Sequence, residues 1–254
     1  MKIAGKVVVV TGAAGGIGLA IARRCRAEGA RGIVMADVQA AGLAAAAGEV
    51  GGIAVGCDVT RESDVQALVA RTRQSFGQVD IYFSNAGLYR PGGEEAPTED
   101  WSLNWNIHVM AHVFAARLLM PEMAARNEGY FVITASAAGL LSHVASATYA
   151  TTKHAAVAFG EYLSITYGNR GVRVSMLCPQ AVRTAMTQGL TETTSMVDGM
   201  LEPEVLADCV VETMEAERFL ILPHPTVLEY LRRKTADYDR WLGGMRRLKE
   251  RTLG

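Results

Sequence analysis

The strongest constraint on the fold of this chain is a short apolar run that leads directly into a glycine-rich turn and then a helix. Residues 6–10 read Lys-Val-Val-Val-Val, a β-branched run typical of a buried strand. The turn 11–18 carries four glycines, and the helical pattern of 19–28 stops before Gly29. Glycines let a backbone approach a pyrophosphate, and the helix directs its first amides at that charge. The segment therefore predicts a nucleotide-binding α/β start.

A second predicted strand, 32–37, ends in the carboxylate of Asp37. A carboxylate at this point can accept hydrogen bonds from an adenosine ribose, and it would repel a 2′-phosphate. No Arg or Lys occurs in 12–18 or 36–40. The pattern therefore favours NAD over NADP, with the alternative that Asp37 only caps the following helix.

Strand-like and helix-like segments continue to alternate along the chain. Further strands are predicted near 53–59, 80–87, 129–136, 171–178 and 219–222. This alternation is typical of a single-domain, Rossmann-like, doubly wound parallel sheet with helices on both faces. We expect one domain over 1–254, with an amphipathic basic extension from about 225 that is solvated or frayed.

A long helix is predicted from about Trp101 to Arg126, and it carries Asn106, His108 and His112. The two histidines are spaced as half a zinc site, but the glutamate of the His-Glu-x-x-His pattern is absent. We therefore expect a packed helix here and no metal.

The chemistry-bearing stretch is 136–153, in which Ser136 ends a predicted buried strand and Tyr149 and Lys153 follow on a predicted helix. Four residues apart, the phenol and the ammonium share one helix face. Such a trio can transfer a proton to or from an alcohol or carbonyl oxygen, provided that the phenol pKa of about 10 is lowered by nearby positive charge. Lysine and an oxidised nicotinamide ring would both supply such charge, so the trio fits a nicotinamide cofactor.

The same Tyr-x-x-x-Lys spacing occurs again at Tyr230 and Lys234. No serine stands upstream at the corresponding distance, because that position is Glu217. We interpret the second pair as a solvated helix face. Segment 186–201, rich in threonine and methionine, is open to two interpretations, a mobile lid over an apolar ligand or a helix that packs its methionines on the core.

The composition of the chain argues against several classes of function. A net charge of −1 argues against nucleic acid or an anionic membrane as the main partner. Four scattered cysteines without a Cys-x-x-Cys pair predict neither a disulfide framework nor a zinc cluster, and they fit a reducing cytoplasm. The first residues lack a signal-peptide pattern and no long apolar stretch occurs, so we expect a cytoplasmic protein.

Taken in order, the glycine turn 11–18, the Ser-Asn-Ala-Gly of 84–87, Asn106, the Ser-Tyr-Lys trio and the Pro-Gln-Ala-Val-Arg-Thr of 179–184 resemble the short-chain dehydrogenase/reductase family. The resemblance covers about residues 5 to 225. It implies that Tyr149 is the catalytic acid/base, that Ser136 anchors the substrate oxygen and that Lys153 tunes the tyrosine. Asn106 would support a proton-relay water. The cofactor-binding set implied by the resemblance is Gly12, Gly16, Ile17, Gly18, Asp37, Asp58, Val59, Asn85, Tyr149, Lys153 and Thr184.

Three positions depart from the family pattern. Ser84 replaces the first asparagine of Asn-Asn-Ala-Gly, Gln180 replaces a glycine after Pro179, and the Asp-Gly-Gly ending is missing. Because that ending often helps to build the family's tetramers, we expect a homodimer through helices near 103–125 and 148–169.

The resulting expectation is an NAD-dependent oxidoreductase that interconverts a secondary alcohol and its ketone. Apolar residues near the expected pocket suggest a hydrophobic cyclic, aromatic or steroid-like substrate; they are Leu88, Leu140, Leu141 and Met186. The alternatives are an NADPH-linked carbonyl reductase and a non-catalytic NAD-binding sensor or assembly subunit.

Overall fold

The computed structural model describes residues 1–189 and 197–253. Within them, seven strands form one parallel sheet in the order β3-β2-β1-β4-β5-β6-β7. The strands are β1 (Val7–Thr11), β2 (Gly32–Asp37), β3 (Ile53–Gly56), β4 (Ile81–Ser84), β5 (Gly129–Thr134), β6 (Val172–Leu177) and β7 (Leu220–Ile221). The predicted doubly wound parallel sheet is therefore confirmed.

Helices cover both faces of this sheet. The helices are α1 (Gly16–Ala27), α2 (Ala40–Val50), α3 (Glu62–Phe76), α4 (Thr98–Trp105), α5 (Ala111–Ala125), α6 (Ala138–Leu141), α7 (Ala147–Tyr167), α8 (Pro203–Glu215), α9 (Thr226–Ala236) and α10 (Tyr238–Leu253). Residues of α3, α5 and α7 share one core cluster with the sheet, and residues of α1, α2 and α8 share the other.

The valine run of β1 explains why the strand is apolar throughout. Val9 belongs to the first core cluster, whereas Val8 and Val10 belong to the second. Successive side chains of a strand point to opposite faces, so a strand covered on both faces needs apolar residues at every position. The run of consecutive valines in β1 thus reflects its position in the middle of the sheet.

The sheet order fixes where a ligand can bind. β1 pairs with β2 on one side and with β4 on the other. The direction of winding therefore reverses between β1 and β4, and a crevice opens at their carboxyl ends. The glycine-rich turn after β1 and the Ser-Asn-Ala-Gly segment after β4 both lie at this edge.

The prediction of one continuous helix over 101–126 is wrong in detail. Helix α4 ends at Trp105, a π-helical turn spans Asn106–Met110, and α5 begins at Ala111. A π-helical turn adds a residue to the helical turn and so changes which side chains face the core.

The chain after β7 forms two helices that pack against the rest of the molecule. Val227 of α9 is fully buried, and Tyr230 and Trp241 pack on the first core cluster. The extension that was expected to be solvated or frayed is thus helical, and its lysines and arginines other than Lys234 are exposed. Segment 186–201 lies partly outside the described residues; in its described part Met186 is exposed. No helix of the described chain is both long and apolar enough to span a bilayer.

Candidate active site

Ser136 stands two residues after β5, at the carboxyl edge of the sheet. Its hydroxyl accepts a hydrogen bond from the amide of Ala138 at 3.1 Å and lies 3.4 Å from the carbonyl oxygen of Pro179. These contacts fix the side chain between β5 and the segment that follows β6. Ser136 also lines a cavity of the described structure.

Helix α7 brings Tyr149 and Lys153 to the same place. Ser146 caps the helix by accepting the amide of Tyr149 at 3.1 Å. Lys153 is 3% exposed, its Nζ donates to the carbonyl oxygen of Thr134 at 2.9 Å, and it lies 5.5 Å from the ring centre of Tyr149. The predicted helix and shared face are therefore present, and the Thr134 bond ties Lys153 to the end of β5, next to Ser136.

Burial controls the titration of both groups. Burial lowers the pKa of the Lys153 ammonium to about 7. Burial also raises the pKa of the Tyr149 phenol above its ordinary value, and a hydrogen bond with the Ser136 hydroxyl lowers the pKa of this phenol by a smaller amount. The protein alone therefore holds the phenol protonated at neutral pH. An additional positive charge beside the phenol is needed before it can act as a base.

Three rings surround the phenol of Tyr149. The ring of Tyr89 lies edge-on at 5.4 Å between centres, that of His108 at 5.4 Å and that of His143 at 6.0 Å. Burial raises the pKa of Tyr89 and lowers the pKa of His143, which favours the neutral form of each. The sequence analysis missed Tyr89 and His143 because both lie in loops, where no periodicity marks an inward side chain.

The structure does not bring Asn106 to the trio. Asn106 is exposed at the start of the π-helical turn, and it makes no side-chain hydrogen bond within the described residues. His108 takes the inner position instead: its Nδ1 lies 3.0 Å from Thr152 Oγ1, and its Nε2 accepts the amide of Leu88 at 3.3 Å. His108, two residues after Asn106, therefore occupies the buried position next to Tyr149 that the family resemblance implied for Asn106.

His112 and Ser84 form a second buried pair beneath the site. Ser84 Oγ lies 2.6 Å from Nδ1 of His112, and both side chains are fully enclosed. Burial, with a smaller contribution from Lys153, lowers the pKa of His112 to about 3. Ser84, which departs from the family pattern, thus forms a hydrogen bond with a neutral histidine. Both ring nitrogens of His108 have protein partners, whereas Nε2 of His112 is buried without a hydrogen-bond partner among the described residues.

The glycine-rich turn packs closely against other parts of the chain. Gly12 has a φ of 66°, and a Cβ on it would lie 2.9 Å from Cα of Ala86. A Cβ on Gly18 would collide with the carbonyl oxygen of Gly12, and one on Gly16 would lie 3.0 Å from Thr184. Only glycine fits these positions. Helix α1 begins here with no acidic residue in its first turn, which leaves its amides suited to an anion.

The other predicted cofactor residues follow the same crevice. Oδ2 of Asp37 accepts the amide of Ala14 in the glycine turn at 3.0 Å, so the carboxylate lies at the far end of that turn. Asp58 accepts both the amide and the hydroxyl of Thr60, and Val59 is buried. These residues fit a dinucleotide, because they combine a close-packed glycine turn, helix amides and an acid that could accept hydrogen bonds from a ribose.

Asn85, expected to contact the cofactor, also has a structural role. Its Nδ2 donates to the carbonyl oxygen of Thr11 at 2.9 Å, and its Oδ1 accepts the hydroxyl of Thr134 at 3.0 Å. The side chain therefore ties β1 to β5. Its polar atoms stabilise the floor of the crevice.

Gln180 turns away from the crevice and into a hydrogen-bond cluster around Asp198. The Asp198 carboxylate accepts the Gln180 amide at 2.8 Å, the Thr226 hydroxyl at 2.8 Å and the Tyr230 hydroxyl at 3.0 Å. Desolvation acts to raise the pKa of Asp198, but the three hydrogen bonds outweigh it and hold the pKa below its ordinary value. The residue that replaces a glycine thus connects the active-site loop to α9.

The second Tyr-x-x-x-Lys pair is not a solvated face, contrary to the sequence interpretation. Tyr230 is bonded to Asp198, and Lys234 is 8% exposed and donates to the carbonyl oxygen of Leu140 at 2.7 Å. The pair fastens α9 to α6. Because no serine accompanies this pair, it does not form a second catalytic trio. Its contacts instead hold α9 next to the active site.

A cavity of about 720 Å³ lies between Ser136 and the two last helices. Its inner part is lined by Ser136, His143 and Gln180, and its outer part by α9, α10 and Val197. Of the four apolar residues expected near the pocket, Leu141 lines the cavity, whereas Leu88, Leu140 and Met186 do not. The volume is in the range of sites that enclose a small organic molecule.

Comparison with protein families gives a match to the short chain dehydrogenase model over residues 6–195. One curated relative is the 1-deoxy-11-beta-hydroxypentalenate dehydrogenase of Streptomyces exfoliatus, which is 36% identical over 233 residues. The alignment covers 87% of this chain and 84% of that protein.

Two solved structures share the fold and cover most of this chain. A short-chain dehydrogenase/reductase from Burkholderia phymatum in complex with NAD matches with a TM-score of 0.85 and 31% identity, over 94% of this chain and 96% of that one. The L-sorbose reductase of Gluconobacter frateurii, complexed with NADPH and L-sorbose, matches with a TM-score of 0.77 and 30% identity, over 87% and 95%. Both nicotinamide cofactors thus occur among similar structures.

Proposed function

This chain belongs to the short-chain dehydrogenase family and is an oxidoreductase acting on CH–OH groups, and we propose that it is an NAD-dependent dehydrogenase of apolar secondary alcohols. One observation carries the proposal. Ser136, Tyr149 and Lys153 come together at the carboxyl edge of the sheet, and of the three Ser136 lines the cavity. The serine that would anchor the substrate oxygen therefore faces space for an organic substrate, and the glycine turn lies at the same edge of the sheet.

In the proposed reaction, the substrate hydroxyl enters between Ser136 and Tyr149. Ser136 donates a hydrogen bond to the substrate oxygen and holds it against the phenol. Tyr149 as tyrosinate accepts the hydroxyl proton while the C–H bond of the carbinol carbon breaks and a ketone forms. A bound NAD⁺ supplies the acceptor for the two electrons and the hydrogen of that bond. In the reverse direction, Tyr149 returns the proton to the ketone oxygen.

Lys153 has two roles in this proposal. Its ammonium beside the Tyr149 ring favours the tyrosinate, and its bond to Thr134 fixes its position. We also assign to it a hydrogen bond with the cofactor ribose, as the family resemblance implies. Because burial alone raises the pKa of Tyr149, the charge of Lys153 and that of the oxidised cofactor must act together on the phenol.

The choice of NAD is supported by Asp37, which lies against the glycine turn with no cation in 36–40. We assign the cofactor contacts to Gly12, Gly16, Ile17, Gly18, Asp37, Asp58, Val59, Tyr149, Lys153 and Thr184. Asn85 would act by shaping the floor of that crevice. An NADPH-linked carbonyl reductase is the second candidate, and the carboxylate of Asp37 counts against it.

An apolar substrate is supported by the lining of the cavity, which includes Leu141, Trp241, Met245 and Leu248. A homodimer is proposed through α5 and α7, because Tyr162 and Ile165 of α7 are exposed. We also propose a cytoplasmic location, which fits the four free cysteines. Sedimentation equilibrium of the purified protein tests the dimer.

The first experiment is a fluorescence titration with NADH and with NADPH, followed by turnover of cyclic and acyclic secondary alcohols monitored at the NADH absorbance. We expect tighter binding of NADH and turnover of bulky apolar alcohols. Preference for NADPH would assign the protein to the reductase alternative. Tight NADH binding without turnover on a broad panel would favour a non-catalytic sensor.

A further inference from the structure

We propose that the substrate carries an anionic group, a carboxylate or a phosphate, which binds to arginines on the two last helices while its hydroxyl lies at Ser136. This inference rests on the proposed function and specifies its substrate class. It was not expected from the sequence, in which the basic segment after 225 was interpreted as solvated or frayed.

Four arginines border the outer part of the cavity. They are Arg233 of α9 and Arg240, Arg247 and Arg251 of α10. Asp237 is the one acidic residue of the cavity lining within the described residues. In a chain with a net charge of −1, this concentration of positive charge at the mouth of a single cavity selects for an anion.

The arginines of α10 share one face of the helix. Arg240, Arg247 and Arg251 are seven and four residues apart, so their side chains project in nearly the same direction. Among residues 1–189 and 197–253, none of the three pairs with a carboxylate, whereas Arg233 lies 3.7 Å from Glu229. Within the part of the chain that the structure describes, these three guanidinium groups can bind a carboxylate or a phosphate, for which their planar fork geometry is suited.

Between this charged end and Ser136 the cavity is largely apolar. Leu141, Trp241, Met245 and Leu248 line it, and its volume is about 720 Å³. A substrate that fills the cavity must therefore combine a polar end at Ser136, an apolar body and an anionic end. A neutral apolar alcohol would fill the inner part only.

The wall that carries the arginines is anchored to the active site. Tyr230 of α9 is bonded to Asp198, which also accepts the amide of Gln180. Lys234 donates to the carbonyl oxygen of Leu140, at 2.7 Å. Trp241 packs on the core. These contacts hold α9 and the start of α10 at a fixed distance from Ser136, as a selective site requires.

A phosphate of the cofactor is not the proposed anion. The glycine turn and Asp37, which form the dinucleotide crevice, are absent from the lining of this cavity. The arginines thus border the substrate side of Ser136.

The test uses three probes with one apolar ring and one secondary hydroxyl: 4-(4-hydroxycyclohexyl)butanoate, its methyl ester, and 4-(4-hydroxycyclohexyl)butyl phosphate. Binding to the full-length protein is measured by calorimetry with and without saturating NADH, so that no turnover occurs. We expect at least one of the anions to bind about tenfold or more tightly than the ester, as two charge-assisted hydrogen bonds would give. The tighter anion identifies the carboxylate or the phosphate as the natural group.

The variants assign the effect to the cavity. In the double variant Arg240→Gln/Arg247→Gln, the ratio of anion to ester affinity should fall to near one. Arg246→Gln, on the same helix but outside the cavity, should leave the ratio unchanged. Equal binding of all three probes to the wild type, a ratio that survives the double variant, or an equal loss in Arg246→Gln would each overturn the inference.

Failure of the proposed function would give a different result. In that case neutral and anionic alcohols alike would show no turnover with NAD, while the affinity ratio of the probes would still report on the arginines. Turnover of neutral alcohols with no preference for anions would instead retain the dehydrogenase and reject the anionic substrate.

Discussion

The side-chain amide of Gln180 donates a hydrogen bond of 2.8 Å to the carboxylate of Asp198. Through Thr226 and Tyr230, the same carboxylate also holds α9. One acidic side chain therefore couples the loop after β6, beside Ser136, to the helices that enclose the cavity. The glutamine at the family's glycine position is best understood as part of this connection.

Replacing Asp198 should loosen the outer wall of the cavity. In Asp198→Ala, we expect KM for bulky alcohols to rise roughly 5- to 30-fold, which corresponds to the loss of one or two hydrogen bonds to a charged group. The kcat for a small alcohol should change little. Steady-state kinetics with 2-butanol and a bicyclic alcohol measure the two effects, and Asp239→Ala on α10 is the control. An unchanged KM for the bulky alcohol would show that Asp198 does not hold the wall.

Removing the Tyr149 hydroxyl should abolish proton transfer. In Tyr149→Phe, turnover is expected to fall about 10²- to 10⁴-fold, while NADH affinity stays within a few-fold of the wild type. Tyr230→Phe is the matched control, because it removes the hydroxyl from the other Tyr-x-x-x-Lys pair. It should retain turnover of small alcohols. Residual activity above a tenth of wild type in Tyr149→Phe would remove this residue from the mechanism.

Asp37 should determine the choice between the two cofactors. Asp37→Asn keeps an acceptor oxygen near Ala14 but removes the charge that would repel a 2′-phosphate. We expect the affinity ratio of NADH to NADPH to fall about tenfold or more. Fluorescence titration of both cofactors measures the ratio. If wild type and variant discriminate equally, the source of selectivity lies elsewhere in the crevice.

His112 should make the fold sensitive to acid. Its pKa is about 3 in the folded chain and 6.5 ordinarily, so between these values the unfolded chain binds a proton that the folded chain does not. The free energy of unfolding then decreases as pH falls from about 6.5 towards 3, by about 1.4 kcal/mol per pH unit for one such group. In His112→Asn, urea unfolding at pH 7, 6 and 5 should show a slope smaller by about this amount.

Ser84→Ala is the control for that experiment. It removes the hydrogen-bond partner of His112 but keeps the titrating ring, so it should lower stability at every pH and leave the slope in place. Identical slopes for the wild type and His112→Asn would mean that other groups control the acid response.

The glycine turn offers a matched pair of substitutions. A Cβ at Gly18 would collide with the backbone of Gly12, whereas a Cβ at Gly15 would meet no atom within 4 Å. Gly18→Ala should therefore lower the free energy of unfolding by about 2 to 4 kcal/mol, and Gly15→Ala by less than about 1. Thermal unfolding compares the two. Similar losses for both would contradict the close approach at Gly18.

The strands and the trio were predictable because their signals are local. Consecutive β-branched residues mark strands such as β1 that are buried on both faces, and a four-residue spacing places Tyr149 and Lys153 on one face of α7. The glycine turn was recognisable for the same reason. Its position between a predicted strand and a predicted helix was sufficient to identify it as a nucleotide-binding turn.

The other parts of the site depend on contacts that are distant in sequence. Asn106 is exposed at the start of the π-helical turn whereas His108 is buried within it, and hydrophobic periodicity gives no signal for such a turn. The arginines of α10 face a cavity only because Trp241 docks on the core. An amphipathic basic helix looks the same in sequence whether its partner is solvent or a substrate.

The outer wall of the cavity comes from α9 and α10, which follow the last strand of the sheet, whereas the cofactor contacts are assigned to residues before 60 together with 149–153 and a segment near 184. Substrate preference and cofactor use are therefore encoded in largely separate parts of the polypeptide. In a relative, the residues after β7 could be replaced, as one continuous segment, by those of this chain. Selectivity would change in one recombination step, with the hydride-transfer apparatus inherited intact.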